Sequence, residues 1–286
     1  MPPKKPPPKT TGQHPQMKVT YQGETGAYSE MVVYKFFGPK TEPLPCKDFK
    51  SIFESVKTGT VSHGIVPIEN SIEGSINQNY DLFLTYDLKV CGEVAIKLSH
   101  VLITNPNTQL QDIKTVYSHP QALAQCRLYL EKHTWETIPA YDTAGAVKLI
   151  KEQNLPNAAA IASEKSADLY GMKIIDRDIS DNPSNYTRFL VLGTQDAQPT
   201  GDDKTSIIFS AKHAPGTLYH ALGEFASRNI NLTRIESRPT KTTAWQYNFY
   251  LDFEGHRTEK RCTEALTALE THATFVKILG SYPRVI

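Results

Sequence analysis

No stretch of this 286-residue chain approaches the roughly 20 apolar residues of a membrane span, so nothing in it calls for a bilayer. An excess of either charge is missing too. Lys and Arg number 31 against 30 Asp and Glu, a formal charge of +1, and no basic stripe is interleaved with aromatics, which argues against nucleic acid as a partner. Cysteine is scarce: Cys46, Cys91, Cys126 and Cys262 lie without paired spacing, which argues against a zinc site and a disulfide framework and leaves buried or idle thiols. No other segment spaces like metal ligands. Residues 1–16 are rich in Pro and Lys and lack both an apolar block and the Arg/Ser-rich character of a transit peptide. They read as a disordered tail, and the cytosol is the expected compartment.

What the chain does have is 39% hydrophobic residues, enough at this length for two domains. From residue 17 to 193 short apolar runs alternate with helical periodicity, the pattern of α/β structure with a largely parallel sheet. Lys18 to Tyr21 reads as a strand. Phe49, Ile52, Phe53 and Val56 form one face of a helix that Gly59 stops, and Gly64 to Val66 reads as the next buried strand. Pro120 fits the first turn of a helix running to Lys132, Asp142 caps another, and Ser163 caps a third after the Ala158–Ile161 strand. The runs 89–96 and 99–103 cross between two lobes, which implies a cleft. Residues 194–203 have linker composition, and 204–286 follow the order βαββαβ, a ferredoxin-like unit in which 247–253 alternate as a half-buried strand must.

Four clusters carry possible chemistry. Gly23 to Ser29 is a glycine turn between strand and helix whose amides suit an anion, but it lacks the full dinucleotide spacing and is equally a capped tight turn. Glu69-Asn70-Ser71 puts a carboxylate, an amide and a hydroxyl just past a buried strand, where ligands collect in open α/β sheets; the bland alternative is a cap and turn pair. Ser118 and Gln125 flank another strand-to-helix junction, with helix capping as the alternative; no Gly-x-Ser-x-Gly elbow or triad supports His119 as a base. Thr187-Arg188-Phe189 places a hydroxyl beside a guanidinium fork suited to a carboxylate. On a regular strand Thr187 and Phe189 share one face and Arg188 takes the other, so the segment must bend for both to meet one ligand; otherwise Arg188 is a structural ion pair.

Taken in order, Gly-Glu-Thr-Gly-Ala-Tyr-Ser (23 to 29), Pro-Ile-Glu-Asn-Ser (67 to 71), Ser-His-Pro-Gln-Ala-Leu-Ala-Gln-Cys (118 to 126) and Thr-Arg-Phe (187 to 189) resemble prephenate dehydratase. The 204–286 unit, with Ala214 to Leu218 and Glu236 to Pro239, resembles the ACT regulatory domain of that family. The resemblance implies a two-lobed, periplasmic-binding-protein-like catalytic domain that converts prephenate to phenylpyruvate with loss of carbon dioxide and water, on the route to phenylalanine. It implies no cofactor and no metal. Thr187 falls on the family's catalytic threonine, with Glu69 as the alternative acid, and Asn70, Ser71, Ser118, Gln125, Arg188 and Phe189 fall on pocket positions. Gly216, Thr217, Leu218, Glu236, Ser237, Arg238 and Pro239 fall on effector positions, where phenylalanine is expected to bind between ACT units of a homodimer or dimer of dimers; a purely structural dimerisation module is the alternative. The family turn's alanine is Thr217 here. Arogenate dehydratase, with an amine in place of the substrate ketone, and a non-catalytic binding sensor remain open readings. The enzyme reading expects the side chains of residues 69, 118 and 187 to share one crevice.

Overall fold

The computed structural model describes residues 16–212, 214–240 and 246–285, and the expected N-terminal tail lies almost wholly outside them. The first lobe runs β1 (Lys18–Gln22), α1 (Tyr28–Phe37), β2 (Glu42–Cys46), α2 (Phe49–Lys57), β3 (His63–Asn70), a short β4 (Gly74–Ser75), α3 (Asn77–Thr85) and β5 (Lys89–Lys97). The chain then enters a second lobe with β6 (Val101–Thr104), β7 (Thr115–Ser118), α4 (Pro120–Gln125), α5 (Arg127–Leu130), β8 (Glu136–Pro139), α6 (Thr143–Glu152), β9 (Ala158–Ala162), α7 (Glu164–Tyr170) and β10 (Lys173–Asp176). It returns to the first lobe through β11 (Tyr186–Gly193). The terminal unit is β12 (Asp203–Ala211), α8 (Thr217–Ala226), β13 (Leu232–Pro239), β14 (Tyr247–Glu254), α9 (Lys260–His272) and β15 (Ala273–Pro283), the expected βαββαβ order.

The first-lobe sheet is ordered β2-β1-β3-β11-β5 and the second β10-β6-β9-β7-β8. Both are mixed rather than largely parallel, because β5, β6 and β11, which carry the chain between lobes, pair antiparallel with neighbours. Two crossings give two lobes and a cleft. Strand β2 holds Pro43 and Pro45, which lack the N–H a central strand needs, and it accordingly forms the sheet edge. Caps behave as their side chains dictate: Asp142 accepts from the N–H of Gly145 and Ser163 from that of Ser166.

Three local expectations are corrected. Strand β3 does not stop before Pro67 but runs through Asn70, so Glu69 and Asn70 obey strand alternation instead of lying in a loop. The helix expected over 120–132 breaks at Cys126, whose φ of −117° and ψ of 23° leave the helical region. Strand β14 is not half-buried: Asn248, Tyr250 and Asp252 are buried as well as Leu251 and Phe253. The reason is tertiary. One face of the terminal sheet packs on α8 and α9 through Phe209, Phe225 and Leu269, while Ile208, Tyr250, Leu279 and Tyr282 on the other face join the first-lobe core of Phe53, Tyr80 and Phe83. Tyr250 donates to the Tyr80 carbonyl, and Lys277 donates to the carbonyls of Phe83 and Tyr86.

Candidate active site

Thr187 on β11 lies opposite Asn70 on β3. The Asn70 Oδ1 accepts from the N–H groups of Ile72 and Glu73 at 2.9 and 3.0 Å, which closes the following turn and fixes the amide. Its Nδ2 then faces Asn185 Oδ1 at 2.7 Å, the Tyr186 carbonyl at 3.1 Å and Thr187 Oγ1 at 2.9 Å. A hydroxyl carries one hydrogen and two acceptor sites. Since Thr187 accepts from Asn70, its own hydrogen is left for the cleft that it lines with Phe189.

The polar chain continues across the cleft floor. Asn185 donates to Gln125 Oε1 at 2.8 Å, and His100 Nε2 meets the same oxygen at 3.0 Å, which calls for the Nε2–H tautomer. His100 Nδ1 faces the Tyr28 hydroxyl, which donates to the Ser99 carbonyl at 2.6 Å. Burial holds the His100 imidazole below its ordinary pKa, against a smaller opposing effect of Gln125. These residues come from α1, both crossings and α4, so only the folded two-lobed chain assembles them.

The cleft has a volume of about 390 Å³ and a wall of Phe49, Pro67, Ile76, Leu98 and Phe189. Among the described residues its lining contains no Lys or Arg. The attraction for an anion falls instead to the helix dipoles at the N-terminal ends of α1 and α6, near Ala27–Ser29 and Asp142–Thr143, although the Ala27 N–H is taken by the Glu24 carbonyl and the Asp142 carboxylate caps α6. Asp142 also fastens the lobes, accepting from the Glu24 N–H at 2.7 Å; burial raises its pKa, and the N–H groups of Gly145 and Glu24 oppose the rise. The Gly23–Ser29 turn is clasped further by Lys148 on Glu24 and by Ser163 and Ser166 on the Gly26 carbonyl. Its amides are therefore partly taken by protein carboxylates, Glu24 by Asp142 and Gly26 by Glu30. Among the described residues no cluster of three or more His, Cys, Asp or Glu could hold a metal ion.

Of the residues singled out from the sequence, Thr187, Asn70, Gln125 and Phe189 line this cleft; Glu69, Ser71, Ser118 and Arg188 do not. The crevice expected to join residues 69, 118 and 187 is therefore not formed by their side chains. Glu69 and Arg188 pair in register on the opposite face of β3 and β11 from Asn70 and Thr187, because the strands stay regular there and the bulge comes only after Arg188. Arg188 reaches Asp252 at 2.9 Å and Glu69 and Glu93 at 3.3 Å. It is a largely buried ion-pair hub, not a ligand for a cleft carboxylate. Burial works against its charge, but Asp252 and Glu93 outweigh it and hold the guanidinium protonated; Asp252 is held below the usual carboxylate range by Arg188 and Arg234 despite its own burial. Glu69, paired also with Arg234 and 38% exposed, cannot reach a group beside Thr187. Ser71 ties the end of β3 to β11 through the Ser184 carbonyl and Tyr186 N–H. Ser118 is wholly buried and donates to the Ile161 carbonyl at 2.6 Å.

In the terminal unit Gly216 caps α8 with φ 80° and ψ −12°, a left-handed position suited to glycine, and Thr217 donates to the Ala214 carbonyl. Leu218 lines a separate cavity of about 360 Å³ with Ala214, Tyr247 and Phe249, and Ser237 and Pro239 pair with those last two residues. The Glu236 and Arg238 side chains are engaged elsewhere, on Ser75 and on Asn77 and Asp81 of the first lobe, so they do not present themselves to that cavity. Sequence reasoning missed Ser75, His100, Asp142 and Asn185 as site residues and had Tyr28 only as part of the Gly23–Ser29 turn. Asn185 had a readable signal, lying two residues before Thr187; the others meet only through the lobes.

Residues 19–197 match the family described as prephenate dehydratase and residues 205–271 the ACT domain. A relative from Arabidopsis thaliana, arogenate dehydratase/prephenate dehydratase 2, chloroplastic, is 44% identical over 94% of this chain and 73% of its own length. A solved structure of prephenate dehydratase from Arthrobacter aurescens in complex with L-Phe is 33% identical with a TM-score of 0.86, covering 94% of this chain and 90% of that one. Another, described as a novel type of quorum quenching acylase, is 30% identical with a TM-score of 0.85, covering 94% and 98%.

Proposed function

The chain belongs to the prephenate dehydratase family, and from that premise we propose that it converts prephenate to phenylpyruvate under feedback by phenylalanine, as an at least dimeric cytosolic enzyme. No helix among the described residues is long and apolar enough to cross a membrane. The observation that carries the catalytic reading is the Thr187 hydroxyl, fixed as an acceptor by Asn70 so that its hydrogen is left for the cleft. The prephenate dianion takes up one proton and yields the phenylpyruvate anion, carbon dioxide and water. The bond from the ring to its carboxylate breaks, that electron pair enters the ring, and the ring hydroxyl leaves as aromaticity forms. A threonine hydroxyl is too weak an acid to release a free proton near neutrality. Thr187 instead gives the departing oxygen a hydrogen bond that strengthens as charge develops, while solvent supplies the net proton.

The rest of the cleft supports that role by position. The ends of α1 and α6 favour the substrate carboxylates, and Phe189, Leu98 and Ile76 provide an apolar wall for the ring. Phenylalanine feedback draws its support from the ACT match and from the L-Phe complex of the Arthrobacter relative. Incubating purified protein with prephenate and reading phenylpyruvate absorbance in alkali tests the activity; turnover that falls with added phenylalanine is expected. A parallel arogenate assay ranks the two substrates. A preparation that leaves both untouched but cleaves an acyl amide would overturn the reading.

A further inference from the structure

Strand β13 of the ACT unit directs alternate side chains, Arg234, Glu236 and Arg238, onto the first lobe. The Ser75 hydroxyl donates to the Glu236 carboxylate and accepts from Arg234 Nη2 at 2.8 Å. Arg234 is itself held on several sides: its guanidinium lies 4.7 Å from the centre of the Tyr80 ring, its Nε is 3.4 Å from Glu69, and it pairs with Glu236. Arg238 reaches Asn77 and Asp81 at the start of α3. These contacts fall immediately behind the catalytic cleft, because Ser75 and Ile76 line it. Moreover, β4 pairs with β3 through Asn70 and Gly74, and Asn70 is the residue that holds Thr187.

We infer that Arg234 and Glu236 are positioning residues for the reaction: through Ser75 they set where the β4 wall stands, so the regulatory domain completes the substrate cleft. A serine hydroxyl has one hydrogen, and here it is spent on Glu236; one of its acceptor sites is spent on Arg234. The rotamer of Ser75, and with it the wall ending at Ile76, is therefore decided by the other domain. Charge-assisted bonds to a partly buried carboxylate and guanidinium are strong enough for this task, whereas β4 alone is two residues long and has little rigidity of its own. The same strand turns Ile235, Ser237 and Pro239 away from the lobe, to its exposed side. Glu236, read from its sequence motif as an effector contact, acts here toward the substrate.

This inference rests on the activity proposed above, and its test separates the two. Glu236→Gln keeps the shape and removes the charge; Ser75→Ala removes the target. Each is expected to raise KM for prephenate by about three- to tenfold with kcat within about twofold of the unaltered enzyme, since Thr187 and Asn70 are untouched. The double variant should be no worse than the more affected single one, because one change takes the charge from the contact and the other removes it, so both act on the same bond. Effects on KM that multiply, or that are missing from both single variants, would overturn the assignment. A second readout needs no substrate: backbone amide exchange over residues 74–77 should accelerate in Glu236→Gln while residues 189–192 keep their protection, and exchange over 74–77 at the unaltered rate sinks the inference. If the unaltered protein fails to turn over prephenate, the activity reading falls by itself and amide exchange still decides whether the ACT strand holds the wall.

Discussion

At the scale of single residues the decisive fact is which face of β11 a side chain takes. Thr187 and Phe189 face the cleft and Arg188 faces away, so a motif of three consecutive residues splits into a hydroxyl on the cleft, an ion-pair hub behind it and an apolar wall. Thr187→Ala should lower kcat by about 10²–10³ with KM little changed, the usual cost of deleting one preorganised donor to developing charge. Thr187→Ser, which restores the hydroxyl, should recover most of the rate; steady-state kinetics on both variants checks this, and alanine turnover within a few-fold of the original would remove Thr187 from the chemistry. His100 is buried and His63 and His119 are partly buried, which bears on stability in acid. Burial depresses His100, His119 and His63 below the ordinary value of 6.5, so between that value and their folded pKa values the unfolded chain binds more protons than the native one. The stability they contribute is fully present above 6.5 and is lost as pH falls through the folded values. Melting temperature should therefore drop on acidification below neutrality, and His100→Gln should flatten that slope; an unchanged slope would show that His100 does not titrate in this way.

Elements were legible where their apolar period is undisturbed. Of the α2 face read as Phe49, Ile52, Phe53 and Val56, the last three are buried and Phe49, in the first turn, is partly so. Strand β2 carries no strand signal in the sequence because two prolines suppress it, and the period over 120–132 does not show the break at Cys126. The seat of α2 on β3 gives a sharp test of packing at this scale. A Cβ at Gly64 would press into the Ile52 side chain and meet Val56 Cγ2 at 3.2 Å, so Gly64→Ala should destabilise by about 1–3 kcal/mol through overpacking. Chemical denaturation measures it directly. A midpoint matching that of the unaltered protein would mean the α2–β3 contact has room to relax.

For the molecule as a whole, the terminal sheet is not an appendage: its central strands are covered on one face by its own helices and on the other by the first lobe. Across that boundary Arg188 of the catalytic domain meets Asp252 of the ACT unit at 2.9 Å, and Lys204 meets Glu93 at 2.8 Å. Removing one partner leaves the other charge buried, so Arg188→Met should cost about 3–5 kcal/mol, while Arg188→Met combined with Asp252→Asn should recover part of it. A double-mutant cycle on unfolding free energy tests this, and strictly additive losses would argue that the pair is not coupled. Ion pairing this deep should also be less sensitive to salt than surface pairs.

Local sequence was enough for what depends on local chemistry: the two-part organisation, the βαββαβ order, the helix caps at Asp142 and Ser163, and the ordered motifs that resemble one family. It also held the warning that neighbours on a strand point opposite ways, which is why Arg188 could not join Thr187. Only the tertiary structure decided which side of each strand is cleft and which is domain boundary, since that depends on what packs against the sheet from elsewhere in the chain. Asn70, Gln125, His100 and Tyr28 lie far apart in sequence and meet because two crossings bring the lobes together. Tyr250 and Asp252 are buried for the same physical reason: alternation sets the face, but only the folded partner decides whether that face meets water.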